Sequence, residues 1–106
     1  MKIDTVIFRI LKYLYETSDE NMPSMEPIMP EALKISFDLW VNAIAILYEN
    51  GYVKNVIVKY CKTGYVVLNE DEMKITLKGI EYYKNNTFLK RASDTMQDVK
   101  NIIPKI

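Results

Sequence analysis

Lys54, Lys59 and Lys62, with Tyr60 and Tyr65 set among them, are the residues of this chain best suited to meet a partner by charge, because residues 52–65 contain no Asp or Glu. Ammonium groups on an acid-free strip neutralise phosphates, and contacts of that kind are salt-sensitive and carry little sequence information. Lys34 adds one more candidate phosphate contact, and Asn42 has the side-chain amide that pairs with adenine in a major groove. These five residues, Lys34, Asn42, Lys54, Lys59 and Lys62, are the candidate contacts to double-stranded DNA. The alternative is that the lysines only solvate a hairpin, since charged side chains are mostly exposed for no further reason.

Other chemistries are poorly supplied. The chain has no His, the commonest general base and metal ligand. Its single Cys61 cannot form an internal disulfide and has no ligand partners at zinc spacing. Gly51, Gly64 and Gly79 are too far apart for a phosphate loop. Glu70, Asp71 and Glu72 form the one dense carboxylate run, and three neighbours in a turn do not converge on a cation without further oxygens. No catalytic residue, metal or cofactor is expected, and the chain reads as non-enzymatic.

At 106 residues with 49% hydrophobic and 26% charged side chains, the composition is that of a globular domain able to bury a core. No run approaches the roughly 18 apolar residues of a membrane span. Asp4, Arg9 and Lys12 interrupt the first apolar stretch, which lacks the pattern of a signal peptide, so the cytoplasm is the expected compartment. Net charge is zero but unevenly spread: residues 1–50 hold 4 Lys/Arg against 8 Asp/Glu, and residues 51–106 hold 10 against 6. A nucleic-acid binder of this composition must concentrate its positive charge locally.

The elements that position the candidates follow from capping and periodicity. Asp4 is the expected N-cap of a helix over 5–16 with Ile7, Ile10, Leu11 and Leu14 inward. Pro23 and Pro27 mark residues 17–29 as a loop, long for a compact domain, in which Met22, Met25 and Met29 either plug the core edge or offer a partner surface. Pro30 opens a short helix over 31–34, Lys34–Ile35–Ser36 makes a turn, and Ser36 and Gly51 bracket the central helix. Phe37, Trp40, Val41, Ile44, Leu47 and Tyr48 form its inward face. Leu39, Ala43 and Ile46 form a second apolar stripe beside it, and Asp38, Asn42, Ala45 and Glu49 point outward. A short helix, a tight turn and a longer helix is the helix-turn-helix pattern.

After Gly51 the β-rich run over 52–60, a turn at Cys61–Gly64 and a return over 65–68 predict a β-hairpin, with a brief third strand over 73–75. Thr76 caps a helix over 77–85 whose Leu77, Ile80 and Tyr83 face in, and Gly79 within it implies close backbone approach. Residues 1–86 thus form one domain. Over 87–106 a further helix is expected, and Leu89, Ala92, Met96, Val99 and Ile103 recur there at alternating steps of three and four. That stripe either packs on its own domain or joins two copies in a homodimer.

The segment ITLKGIEYYKNNTFLK, residues 75–90, resembles the L-T-x-K-G-x-x-Y stretch of the YjcQ-like family of small bacterial and phage proteins. ENGYVKNV, residues 49–56, is similar to that family's link from third helix to wing. The resemblance spans most of the chain, though the 21–29 loop is longer than the family's usual connection. It implies a winged-helix fold and a frequent prophage setting, with no functional residues to carry over.

The fold expected is therefore α+β, a winged helix-turn-helix with a β-hairpin wing and two C-terminal helices. The function expected is DNA binding by a small transcriptional regulator or accessory protein. The competing expectation is a protein-interaction or dimerisation module, because the central helix carries no Lys or Arg and is apolar on more than one face.

Overall fold

The computed structural model describes residues 1–86. The expected C-terminal helix and its Leu89, Ala92, Met96, Val99 and Ile103 seam lie outside the described residues.

Helix α1 runs Ile3–Glu16, two residues longer at its start than expected. Lys2 is the N-cap, and it makes no side-chain cap bond. Asp4 instead sits inside the first turn, where its carboxylate favours the positive end of the helix dipole and accepts the Thr5 N–H at 2.9 Å. Val6, Ile10, Leu11 and Leu14 form the buried stripe, while Ile7 is only half-buried. The loop that follows contains a 3₁₀ turn, Glu26–Ile28, and leads to helix α2, Pro30–Leu33, with Pro30 at the first turn. Lys34 closes α2 in the left-handed region at φ 59.

Helix α3, Phe37–Glu49, has the caps its sequence implies. The Ser36 hydroxyl oxygen accepts the Leu39 N–H at 3.1 Å. At the other end, the Tyr52 N–H donates to the Leu47 carbonyl at 2.9 Å and the Gly51 N–H to that of Tyr48 at 3.0 Å. This paired closure requires a left-handed residue, and Gly51 takes φ +75. Trp40, Val41, Ala43, Ile44, Ala45 and Leu47 are buried. Three consecutive buried positions, 43–45, cover roughly 200° of helix circumference. The core wraps α3 that widely because it packs against α1 and also against the strands that follow it. Two expectations therefore change. Ala45 is inside rather than outward, and Phe37 and Tyr48 at the edges of the predicted face are exposed.

The β-rich run over 52–60 is two strands, not one. Asn55, at φ 69, breaks it into β1, Val53–Lys54, and β2, Ile57–Cys61. Asparagine is among the few residues that tolerate this conformation. Strand β2 pairs antiparallel with β3, Gly64–Leu68, in the register Ile57↔Leu68 to Cys61↔Gly64, leaving Lys62 and Thr63 as the turn. A second 3₁₀ turn, Glu70–Glu72, leads to β4, Lys74–Ile75, which pairs antiparallel with β1.

Residues 77–86 form helix α4. Thr76 caps it and ties it to the rest: its hydroxyl accepts the Gly79 N–H at 3.0 Å and donates to the Gly51 carbonyl at 2.6 Å. A Cβ on Gly79 would stand 2.2 Å from the Tyr52 carbonyl oxygen, so the close approach is real. Tyr83 is buried against the rings of Phe8 and Tyr15, at 5.3 and 5.1 Å between centroids. Leu77 faces solvent, 73% exposed, because the inward face runs through Gly79, Ile80 and Tyr83 and position 77 lies off it.

Three helices, a helix-turn-helix from α2 to α3, a β2–β3 hairpin and a returning helix make a mixed α+β winged helix-turn-helix. The hairpin is the wing. Among the described residues no helix is long and apolar enough to cross a membrane.

Candidate nucleic-acid interface

Strand geometry sorts the wing residues onto two faces, because successive side chains alternate. Val58, Tyr65 and Val67 pack against the core, so their face looks toward the body of the domain. Ile57, Lys59 and Cys61, with Val66 and Leu68 across the ladder, form the other face; Ile57, Lys59, Val66 and Leu68 are exposed there. Lys62 stands in the turn at the tip. Tyr60 belongs to the inward-looking face but lies beyond the body, 78% exposed, with its ring edge-on to Tyr65 at 5.5 Å. The structure thus places Lys59, Tyr60 and Lys62 at the outer end of the wing, with Tyr60 on one face, Lys59 on the other and Lys62 at the tip.

The remaining candidates stand elsewhere. Lys54 is exposed on β1 and lines a hollow of about 560 Å³ with Asp19, Glu20 and Lys74, so its nearest charged surroundings include carboxylates. Lys34 is exposed at the end of α2. Asn42 is exposed in the middle of α3, on a strip with Asp38, Ile46 and Glu49.

That strip of α3 is acidic at both ends. Glu49 is also engaged with the wing: the Tyr65 hydroxyl donates to its Oε2 at 3.0 Å. The hydrogen bond and the charge of Glu49 both hold the Tyr65 phenol above its ordinary pKa, since ionisation would place two anions side by side. A polyanion approaching this side meets the carboxylates of Asp38 and Glu49 on α3 and the ammonium groups of the wing.

One feature of this surface was not legible as functional beforehand. In addition to Ile46, which belongs to the second apolar stripe expected on α3, the trio Ile57, Val66 and Leu68 leaves apolar surface exposed on the outer face of the wing. The strand alternation grouped Ile57 with Lys59, but which face the core would cover depended on where α3 lies. Among the described residues, no group of three or more His, Cys, Asp or Glu side chains is placed to hold a metal ion.

No curated protein and no solved structure matches the chain. The family model described as YjcQ protein matches residues 8–102, a span that takes in most of α1, the helix-turn-helix, the wing and α4, and the chain therefore belongs to the YjcQ family.

Proposed function

We propose that this YjcQ-family winged helix binds double-stranded DNA through its wing, as a small regulator or accessory protein acting in the cytoplasm, in a bacterial or prophage setting. The observation that carries this reading is the outer wing itself, where exposed Lys59 and Lys62 flank an exposed Tyr60 in a stretch without a carboxylate. The two ammonium groups, Lys62 at the tip and Lys59 on the outer face, take phosphates, and the Tyr60 ring on the opposite face offers contact to the sugars. Lys34 and Lys54 supply outlying charge, and Asn42 is the one amide on α3 placed to meet a base edge. With no Lys or Arg on α3, base reading is slight, and binding is dominated by the salt-sensitive phosphate term.

A second reading, a protein-interaction or dimerisation module, is favoured by the apolar surface at Ile46, Ile57, Val66 and Leu68. In that reading Leu89, Ala92, Met96, Val99 and Ile103 join two copies, and Met96→Glu with Val99→Glu dissociates them.

Fluorescence anisotropy with a duplex probe at two salt concentrations separates the two. DNA binding predicts an affinity that falls steeply with salt and is lost in Lys59→Glu with Lys62→Glu, while the thermal midpoint holds. Absence of binding at low salt overturns it and leaves the interaction module.

A further inference from the structure

The long connection between α1 and α2 is held at several points. Met25 and Ile28 are buried in the core. The Tyr13 hydroxyl donates to the Ser24 carbonyl, and the Trp40 indole N–H donates to the Ile28 carbonyl at 2.8 Å. The Lys74 ammonium donates to the carbonyl oxygens of Glu20 and Asn21 at 2.9 and 2.8 Å. So anchored, the connection keeps Met22 on the surface, 72% exposed, at an open groove of about 740 Å³.

Met22, Met25 and Met29 line this groove together with the carboxylates of Glu26, Glu31 and Asp71, and among the described residues no Lys or Arg lines it. Between Lys12 and Lys34 the chain carries five acidic residues and no basic one. Flexible thioethers adapt to a bulky side chain and meet aromatic ring edges favourably. The surroundings select a positive partner. The matching surface is on the same chain: the exposed Tyr60, with Lys59 on the other face and Lys62 at the tip of the same acid-free hairpin.

We propose that the wing of one copy docks in the methionine groove of a second copy, with Tyr60, on one face of the hairpin, against the thioethers of Met22 and Met29, and with the ammonium groups of Lys62 at the tip and Lys59 on the other face against Glu26, Glu31 and Asp71. The contact is heterologous: in a pair, one copy keeps a free groove and the other a free wing. Association therefore continues into short chains or closes into a ring. It occupies the lysines assigned above to phosphate, so self-association and DNA binding exclude one another at the wing. Its strength falls with salt, as surface charge pairing does.

Sedimentation velocity over a range of protein concentrations, at low and high salt, tests this. The expected result is an average mass that climbs with concentration at low salt and returns to the monomer at high salt. Glu26→Lys with Glu31→Lys abolishes the climb, as does Lys59→Glu with Lys62→Glu. Mixing these two variants restores it, because each groove again meets an opposite wing. Met22→Ser, at an exposed position, weakens association without altering the thermal melt, which separates lost docking from lost folding. A monomer at every concentration in low salt, or association that survives both charge reversals, overturns the proposal. The groove variants keep the whole wing, so their anisotropy titration with DNA reports on the DNA reading independently.

Discussion

Gly79 is where a single missing atom decides the geometry of α4. In an exposed helix interior, Gly→Ala adds roughly 1 kcal/mol of helix propensity. Here a Cβ would stand 2.2 Å from the Tyr52 carbonyl oxygen and 2.8 Å from Ile75 Cγ1. A backbone oxygen at the start of β1 cannot swing aside as a side chain does, and overpacking of this kind costs about 1–3 kcal/mol. Gly79→Ala is thus expected to lower the urea midpoint, with a net loss of up to about 2 kcal/mol once the propensity gain is counted. Glu49 gives a second residue-scale prediction. Its carboxylate raises the Tyr65 pKa, so Glu49→Gln brings that pKa down, as followed by NMR titration of the labelled ring. The sign for stability follows: a folded-state pKa above the unfolded value contributes stability at neutral pH, and that contribution is lost as pH rises through the raised value.

At the scale of elements, α3 links the core to both candidate surfaces. Its caps are local, from Ser36 and Gly51, but its burial comes from α1 and from strands β1, β2 and β3, which is why Ala43 and Ala45 are both inside. Trp40 spans from this helix to the connection before α2, its indole N–H on the buried Ile28 carbonyl. Replacing it by Phe keeps an aromatic ring in the core but leaves that carbonyl unsatisfied, at a cost of about 1–3 kcal/mol. Trp40→Phe is expected to lower the denaturation midpoint by that amount. It also loosens the connection that presents Met22, so hydrogen exchange should accelerate in residues 22–29 ahead of α1.

Over the whole molecule, the charge of the chain is zero and its distribution is polar: the acidic connection and the Glu70–Glu72 turn stand apart from the lysines of the wing. Net charge therefore says little about partners here, and local charge says more. If Lys59 and Lys62 each neutralise one phosphate, they contribute about −1.8 to the slope of log affinity against log salt. The single variants Lys59→Gln and Lys62→Gln, which weaken binding without abolishing it, are each expected to lose about half of that slope in anisotropy titrations. An unchanged slope would place the DNA contacts elsewhere on the surface.

Local chemistry by itself determined much of this protein. Ser36 and Gly51 bound α3, Pro30 opens α2, Thr76 opens α4, and the Val- and Tyr-rich run with Gly64 makes the wing, because caps, turns and strand propensity act within a few residues. The family match also follows from sequence. Tertiary structure decided what local pattern leaves open. The break at Asn55 follows the pairing of β1 with β4, some twenty residues away. The exposure of Phe37 and Leu77 and the burial of Ala45 depend on which neighbours cover each helix, and periodicity defines a stripe without saying how wide its cover is. The arrival of Asp71 at the groove formed by residues 22–32, and of Lys54 beside Asp19, Glu20 and Lys74, joins residues far apart in the chain. Their proximity is set by packing between elements, which no residue encodes alone.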